Sequence, residues 1–310
     1  MLAIIGYGDH VQRNILPALE KLKDVIVKYV VVRDLDKYKH QSNFFFITDF
    51  SKVLADKDIT SIYIATPISS HYKYVKEALT AGKNVLCEKS LTTSFENSEE
   101  LVNLAAKINV KLQEVVMYQY HNQFIWLKNY LKNECNGRLV KIHTSFQIPH
   151  LSPDNIRYSK NLGGGALLDV GFYPLSMIIS LLGMPNMVKS ILTAQPSYSV
   201  DLSGIAIFNY KELYAVAEWG IGRLYKNEIT LEFEDHQVTV GRAFSKPPTL
   251  QTIATITKNN GNREEISINS CDHFYRLFSD FFNDGHNDLE HLAAILERAK
   301  VTDIIKNDLL

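Results

Sequence analysis

The most constraining feature of this sequence is a short apolar run at its start that ends in two glycines one residue apart. Leu2–Ile5 are all apolar, and Gly6-Tyr7-Gly8 follows them directly. Apolar residues then recur at helical spacing over residues 11–23, and the β-branched run over residues 25–32 suits a strand that is buried on both faces. This order predicts a strand, a tight turn, a helix and a second parallel strand, which together make one βαβ unit.

The same rhythm continues through the first third of the chain. Short apolar runs alternate with amphipathic stretches, which is typical of a parallel sheet covered by helices. We expect further strands at residues 43–46, 61–65, 84–87 and 111–117, and helices near residues 51–56, 69–81 and 94–108. The pattern predicts a doubly wound sheet in a first domain of residues 1–118.

After residue 118 the strand-like segments follow one another without intervening helices, which favours an antiparallel sheet. We expect strands at residues 138–148, 187–195, 203–209, 213–220, 227–233, 236–240 and 251–257, and helices at 121–133, 166–182, 272–283 and 289–305. The predicted fold class is α/β: an N-terminal doubly wound Rossmann domain and a C-terminal α+β domain, residues 119–310, with a large, mostly antiparallel open sheet. Because no Gly/Ser linker separates them, we expect two tightly joined domains with the site in the cleft between them.

Composition excludes several classes of protein. With 33 Lys and Arg against 34 Asp and Glu, the net charge of -1 provides no basic surface for nucleic acid. Cys87, Cys135 and Cys271 lack the spacing of a disulfide framework or a zinc site. Neither a signal peptide nor an unbroken run of about 18 apolar residues is visible. We therefore expect a cytoplasmic protein that binds neither nucleic acid nor metal nor membrane.

Gly6 and Gly8 stand where a Rossmann fold binds a dinucleotide. Residues without side chains allow the tight turn and let backbone N–H groups approach a pyrophosphate at the start of the helix. Asp34 ends the second predicted strand, the usual position of a carboxylate that accepts from the ribose hydroxyls of NAD. Arg33 beside it could instead receive the 2′-phosphate of NADP, so NAD is favoured and NADP stays open. Val11 occupies the third glycine position, which governs helix packing more than phosphate contact.

Other polar segments also follow predicted strands, where ligands of open α/β sheets bind. Thr66-Pro67 comes directly after the fourth strand, with His71 in the next helix, and the fifth strand ends in Glu88-Lys89. Much later, residues 163–174 read Gly-Gly-Gly-Ala-Leu-Leu-Asp-Val-Gly-Phe-Tyr-Pro. In this order and spacing, the segments resemble the Gfo/Idh/MocA oxidoreductase family over nearly the whole chain.

The resemblance implies an NAD(P)-dependent oxidoreductase that acts on CH–OH groups. In that family the lysine of a Glu-Lys-Pro motif lies next to the nicotinamide and the substrate, and Lys89 falls at that position with Ser90 in place of the proline. Asp169 and Tyr173 share a helix face one turn apart. The branch with dihydrodiol dehydrogenases, xylose dehydrogenases and nucleotide-sugar ketoreductases resembles this chain in using Tyr. A phenol with a pKa near 10 transfers protons well only beside a cation, so we predict Lys89, Asp169 and Tyr173 as catalytic.

Gln119 and His121 lie in a segment similar to the family's YRFHPQ-type segment, where Gln119 replaces the common Arg and Asn122 replaces Pro. Arg157 precedes the glycine run and can hold a substrate oxygen or phosphate through its planar fork. The predicted cofactor-binding residues are Gly6, Tyr7, Gly8, Asp9, His10, Val11, Arg33, Asp34, Thr66, Pro67, His71, Glu88, Lys89 and Gln119. The predicted substrate-binding residues are Lys89, His121, Arg157, Asp169 and Tyr173.

The expected reaction moves hydride between nicotinamide and a carbinol or keto carbon of a sugar, in the direction that reduces a nucleotide-linked keto-sugar. Residues 225–228 and 241–245 also resemble sheet segments of dTDP-sugar C3-ketoreductases. Two alternatives stay open: a dehydrogenase of a free sugar or cyclic polyol, and an inactive cofactor-binding regulator, since Ser90, Gln119 and Asn122 depart from the family pattern together. An open sheet of this kind often dimerises, so we expect a homodimer or homotetramer through the C-terminal sheet.

Overall fold

The computed structural model describes residues 1–38, 44–134, 137–283 and 289–308. The chain forms two compact units, and each is assembled from more than one stretch of sequence. The N-terminal unit is Met1–Val116 with Phe274–Leu296, and the C-terminal unit is Met117–His273 with Glu297–Leu310. Cys135 and residue 43, which figure in the sequence predictions, lie outside the described residues.

The segment Phe274–Leu296 differs from the predicted linear division, which assigns it to the second domain. Phe278 packs edge-on against Tyr63 with ring centroids 5.6 Å apart. Leu292 and Ile295 belong to the same buried cluster as the strands of the N-terminal unit. Helical periodicity predicts that one face is buried, but it does not say which sheet covers that face.

Six parallel strands form the sheet of the N-terminal unit. They are β1 (Leu2–Ile5), β2 (Val27–Val31), β3 (Phe45–Ile47), β4 (Ser61–Ile64), β5 (Asn84–Glu88) and β6 (Leu112–Val115). Their order is β3-β2-β1-β4-β5-β6, with every neighbouring pair parallel. This order confirms the predicted doubly wound sheet. The chain reverses its direction across the sheet between β1 and β4, and the carboxyl ends of these two strands are where such folds bind dinucleotides.

The eight-stranded sheet of the C-terminal unit is mostly antiparallel, as predicted. Its strands are β7 (Leu139–Ile148), β8 (Met187–Ala194), β9 (Asp201–Tyr210), β10 (Leu213–Ile221), β11 (Lys226–Phe233), β12 (His236–Gly241), β13 (Thr252–Lys258) and β14 (Arg263–Ile268). Their order is β14-β13-β12-β11-β7-β10-β9-β8, in which β7 and β10 pair in parallel. β14 was not predicted, because its charged residues Arg263, Glu264 and Glu265 are exposed at the sheet edge and hide the apolar alternation.

The α-helices of the described residues are α1 (Leu16–Leu19), α2 (Phe50–Ala55), α3 (Ile68–Thr80), α4 (Phe95–Ile108), α5 (Asn122–Asn129), α6 (Phe172–Leu182), α7 (His273–Asn283) and α8 (Leu289–Asn307). Three of the predicted helices contain π-helical turns, at Val11–Ile15, Tyr130–Glu134 and Leu167–Gly171. Such single π turns often occur near functional sites because they re-aim side chains relative to a regular helix.

The two faces of the C-terminal sheet differ in burial. Along β10, Ala215, Ala217 and Trp219 are buried, and α6 packs against β7 and β10. The alternate side chains point to the opposite face, which we call the outer face. Its exposed apolar side chains include Met187, Ile191, Ile207, Tyr214 and Ile253.

One helical stretch, Lys160–Leu182, is long and apolar enough to cross a membrane by length and composition, with a mean hydropathy of 1.7. Polar residues such as Asp169 interrupt this stretch, so it is not an unbroken apolar run in the sequence. Inside the protein, 72% of the apolar window is buried. A helix that is apolar on most sides is also the usual centre of a folded domain, and α6 has this place in the C-terminal unit.

Candidate active site

The turn after β1 contains two glycines with different structural requirements. Gly6 has φ +95°, and a Cβ on it would lie 2.7 Å from the carbonyl oxygen of Ala65. The fold therefore requires glycine at residue 6, because the carboxyl ends of strands β1 and β4 approach each other there. At Gly8, in contrast, a Cβ would meet no protein atom within 4 Å. The backbone at Gly8 is thus accessible to a ligand, which fits the pyrophosphate of a dinucleotide.

The residues around this turn have separate roles. Tyr7 packs edge-on against Tyr38 and Phe46, with centroids 5.3 and 5.2 Å away. Val11 is 1% exposed, so it belongs to the core, as expected for the third motif position. Asp9 is exposed and lies 3.6 Å from an Arg13 nitrogen, the distance of a weak surface ion pair.

Arg33 and Asp34 follow β2 and are both exposed. Asp34 Oδ1 accepts from the backbone N–H of Asp36 at 3.0 Å, which orients the carboxylate. The two side chains thus stand where the sequence predicts the adenosine ribose of a dinucleotide.

Glu88, the last residue of β5, is a half-buried carboxylate that accepts from two donors. Its Oε1 accepts from Tyr63 Oη at 2.5 Å and from His10 Nε2 at 3.0 Å. Asn14 Nδ2 donates to His10 Nδ1 at 3.0 Å, which places the His10 proton on Nε2. Burial alone raises the pKa of Glu88, but His10, Tyr63 and the charge of Lys89 outweigh burial and hold that pKa below its ordinary value. Glu88 is therefore an anion next to Lys89 in the chain.

The loop that carries Lys89 is held by buried side chains of the same unit. The Lys89–Ser90 peptide bond is cis. Glu114 Oε1 accepts from the backbone N–H of Leu91 at 2.7 Å. His71 lies 2.9 Å from the Ser90 carbonyl oxygen, and its ring is 1% exposed. His71 thus stands behind the loop and contacts its backbone, whereas the sequence predicts it as a cofactor contact.

Thr66 and Pro67 connect β4 to α3 at the carboxyl edge of the sheet. Ser70 Oγ, in the first turn of α3, donates to the Pro67 carbonyl at 2.8 Å and lies 2.7 Å from Thr66 Oγ1, from which it can accept. These bonds hold the turn on the side of the sheet where the predicted dinucleotide contacts lie.

In the C-terminal unit, Arg157, Asp169 and Tyr173 come together. Arg157 Nε donates to Asp169 Oδ2. The charge of Asp169 raises the pKa of Arg157 against the effect of burial, and Tyr173 contributes in the same direction. Tyr173 is in the first turn of α6, and its ring packs against Phe146 and Phe244 with centroids 5.3 and 5.9 Å away. The structure thus places the predicted acid/base pair and a cation in one cluster.

The glycine run before α6 lets the chain pack closely around Arg157. A Cβ on Gly164 would lie 2.5 Å from the Arg157 carbonyl oxygen. Gly165 has φ +115°, and its N–H donates to the same carbonyl at 2.9 Å. The glycines of this motif therefore allow the backbone of Arg157 to pack directly against them.

Gln119 and His121 make contacts inside the C-terminal unit. Gln119 Nε2 donates to Ser180 Oγ at 2.6 Å. His121 is fully buried, and its Nδ1 accepts from the Gln123 N–H at 3.0 Å, which caps α5. The cofactor contact of Gln119 and the substrate contact of His121 stay predictions.

A buried lysine, Lys246, lies on the segment whose Phe244 packs against Tyr173, and it is not among the predicted site residues. Lys246 Nζ donates to the Ala243 carbonyl at 3.1 Å, two residues from Phe244. Burial lowers the pKa of Lys246 to about 7. Burial and the charge of Lys246 lower the pKa of His273 to about 4. No sequence pattern marks Lys246, since a single Lys in a loop is ordinarily solvated.

The sequence matches two family models, one after the other along the chain. Residues 1–115 match the oxidoreductase family with an NAD-binding Rossmann fold, and residues 124–236 match the GFO/IDH/MocA C-terminal domain.

Individual relatives extend the similarity over nearly the whole chain. A dTDP-3,4-didehydro-2,6-dideoxy-alpha-D-glucose 3-reductase from Actinomadura kijaniata is 27% identical and covers 98% of this chain and 94% of its own length. The reductase of the same name from Saccharopolyspora spinosa is 30% identical over 91% of this chain and 86% of its own. The crystal structure of a 3-ketoreductase from Actinomadura kijaniata in complex with NADP and TDP-benzene has a TM-score of 0.93 at 26% identity, over 99% of this chain and 97% of that one.

The predicted resemblance is therefore confirmed by both family models and by relatives that the chain matches over most of their length. The turn at Gly8 and the carboxylate at Asp34 agree with the Rossmann half of that match. The chain belongs to the GFO/IDH/MocA family of oxidoreductases, and its N-terminal unit is an NAD(P)-binding Rossmann fold.

Proposed function

We propose that this oxidoreductase reduces a keto carbon of a nucleotide-linked sugar with NAD(P)H. The observation that carries the proposal is the similarity to the dTDP-sugar 3-reductases, which extends over 98% of this chain and 94% of the Actinomadura enzyme. A similarity of this extent includes both the dinucleotide-binding half and the half that holds Arg157, Asp169 and Tyr173. The complex of the related 3-ketoreductase with NADP and TDP-benzene supports the same class of substrate.

In the proposed site, the backbone at Gly6, Tyr7 and Gly8 binds the pyrophosphate. Asp9, His10 and Val11 begin the helix behind this turn, and Arg33 and Asp34 contact the adenosine ribose. Thr66, Pro67, Glu88, Lys89 and Gln119 complete the proposed set on the nicotinamide side, and His71 stands behind them, against the backbone of Thr66 and Ser90. The bound NAD(P)H supplies the hydride.

Tyr173 is the proposed proton donor to the keto oxygen, and Lys89 is the proposed cation that hydrogen-bonds the same oxygen. A phenol donates more readily near a positive charge, because the charge stabilises the phenolate that remains. Solved structures of the Actinomadura 3-ketoreductase include a variant with Tyr replaced by Phe and one with Lys replaced by Ala, the two residue types proposed here.

Asp169 and Arg157 are proposed to orient the sugar. Asp169 accepts from Arg157 Nε, so the planar guanidinium has further N–H groups on its other edge for a sugar or phosphate oxygen. His121, at the start of α5, is proposed as a further substrate-binding residue.

For the cofactor we propose a preference for NAD over NADP. The carboxylate of Asp34 accepts well from two ribose hydroxyls but repels a 2′-phosphate. Arg33 is the group that a 2′-phosphate would contact, so titration of an Asp34→Ala variant with NADH and NADPH tests the preference. We expect the Asp34→Ala variant to bind NADPH more tightly, relative to NADH, than wild type does. If Asp34→Ala leaves the ratio of the two dissociation constants unchanged, Asp34 does not select the cofactor.

We further propose that the protein acts in the cytoplasm as a homodimer or homotetramer through the outer face of the C-terminal sheet. The exposed apolar residues Ile191 and Ile207 on neighbouring strands support this, with 66% and 47% of their surface accessible.

The test of the substrate class compares one keto-sugar with and without its nucleotide. Loss of NAD(P)H absorbance is measured with a dTDP-linked 3-keto sugar and with the free sugar, and calorimetry measures dTDP binding. We expect turnover only of the dTDP-linked sugar and measurable affinity for dTDP. Turnover of a free pentose without dTDP affinity would favour the alternative of a sugar dehydrogenase, which a D-xylose 1-dehydrogenase from Haloferax volcanii, 30% identical over 52% of this chain, also represents.

A further inference from the structure

His71 contacts two loops that carry proposed site residues. Its Nε2 lies 2.8 Å from the carbonyl oxygen of Thr66, after β4, and its Nδ1 lies 2.9 Å from the carbonyl oxygen of Ser90, after β5. β4 and β5 are neighbouring parallel strands, so these loops leave the same edge of the sheet side by side. The ring is 1% exposed, and water therefore does not compete for either contact.

The imidazole has fewer protons than these two contacts can use. A carbonyl oxygen only accepts hydrogen bonds, and a neutral imidazole carries a single N–H. Burial lowers the pKa of His71, although the two carbonyls and the carboxylates of Glu88 and Glu114 oppose this effect. The neutral ring is thus favoured near neutral pH, and its one proton goes to one of the two loops.

The two loops differ in how else they are held. On the Thr66 side, Ser70 Oγ already makes hydrogen bonds with Thr66 Oγ1 and the Pro67 carbonyl, at 2.7 and 2.8 Å. On the Lys89 side, Glu114 accepts from the backbone N–H of Leu91, and Nδ1 of His71 faces the carbonyl oxygen of Ser90. The His71 proton therefore contributes most when it is on Nδ1 and bound to Ser90.

We propose that His71 is a positioning residue for Lys89, which it holds in place by donating from Nδ1 to the carbonyl of Ser90. The inference rests on the proposed role of Lys89 in the reduction. Because a displacement of about 1 Å can lower a rate about 100-fold, a buried bond one residue from a catalytic group has a large effect on turnover.

Three substitutions of His71 distinguish the hydrogen bond made by Nδ1 from the one made by Nε2. The amide nitrogen of His71→Asn can replace Nδ1, that of His71→Gln can replace Nε2, and His71→Leu supplies neither donor. We expect His71→Leu to lower kcat about 10- to 100-fold, with the dissociation constant of NAD(P)H and the KM of the keto-sugar within about threefold of wild type. We expect His71→Asn to recover most of kcat and His71→Gln to recover little. If Leu keeps kcat within about twofold, or if Gln recovers as much as Asn, the proposal is wrong.

Hydrogen exchange of the ligand-free protein tests the hold on the loop without reference to activity. Peptides that cover residues 86–93 are expected to exchange faster in His71→Leu and at the wild-type rate in His71→Asn. Thr80→Ala, which removes an exposed hydroxyl bond to Lys76 on the same helix, is the control and leaves these peptides unchanged. Unchanged exchange in all variants would overturn the proposal.

Full turnover of Lys89→Ala would refute the proposed role of Lys89 instead, while the exchange data still decide whether His71 holds the loop. If His71→Leu does not fold, the comparison of Asn with Gln decides both readouts.

Discussion

At the scale of single residues, Tyr173 is the side chain on which the proposed chemistry depends most. Its ring packs against Phe146 and Phe244, and the charge of Arg157 is near enough to interact with it. A hydroxyl on a ring held in this way can be removed without loss of packing. The contribution of proton transfer from Tyr173 to kcat can therefore be measured separately from substrate binding.

We expect Tyr173→Phe to lower kcat about 100-fold or more, the usual size of a general-acid contribution. The dissociation constant of dTDP, measured by calorimetry, should stay within about threefold, because the phenyl ring keeps its aromatic contacts. Phe172→Leu is a neighbouring control that changes packing but no proton. A Tyr173→Phe enzyme with near-wild-type kcat would refute the proton-donor role.

Lys246 gives a residue-scale prediction about stability. Its pKa is lowered to about 7 by burial, from an ordinary 10.5, with Cys271 opposing the shift. Between these values the unfolded chain binds a proton that the folded chain lacks, so the free energy of unfolding rises with pH in this window. We expect wild type to gain roughly 2 kcal/mol relative to Lys246→Met between about pH 7 and pH 9. Urea denaturation at both pH values measures the difference, and parallel pH profiles of the two proteins would contradict it.

At the scale of elements, the two glycines in the turn between β1 and the following helix differ in whether the fold or a ligand requires them. Gly6 is needed by the protein itself, because a side chain would meet the carbonyl of Ala65, while a side chain at Gly8 would meet no protein atom within 4 Å. The same two-glycine pattern therefore contains one structural position and one position that a ligand approaches.

We expect Gly6→Ala to destabilise the protein by about 2 kcal/mol or more, because it adds both the clash and strain at φ +95°. Gly8→Ala should leave the melting temperature nearly unchanged and weaken NAD(P)H binding about 10-fold or more. Calorimetric melts and fluorescence titrations measure the two effects. Equal loss of stability in both variants would mean that Gly8 also serves the fold.

At the scale of the whole molecule, the outer face of the C-terminal sheet is the feature that points to self-association. Ile191 lies opposite Ile205 across β8 and β9, and Ile207 is two residues further along β9. Exposed apolar side chains that are contiguous across strands usually mark an interface. Two charged residues lie beside these side chains on the same face, Lys189 opposite Ile207 and Glu218 opposite Ile205.

We expect Ile191→Glu with Ile207→Glu to shift the protein to a smaller species in sedimentation velocity, because two charges cannot be buried unpaired in an apolar interface. Ile26→Glu is the matched control, since Ile26 is 55% exposed but belongs to the other unit. If wild type sediments as a monomer, or if the double variant keeps the wild-type species, association through this face is refuted.

Local patterns in the sequence determined the turn at Gly6 and Gly8 and the Asp169–Tyr173 spacing. They also determined every strand of the two sheets except β14. Each of these depends on residues close together in the chain, where periodicity and backbone freedom decide the conformation. Only the tertiary structure decided that Phe278 and Ile295 pack in the N-terminal unit, that Arg157 binds Asp169, that His71 joins two loops, and that Lys246 is buried. The physical reason is that periodicity reports how much of a side chain is buried, whereas its partner depends on how distant segments meet, which a single sequence does not display.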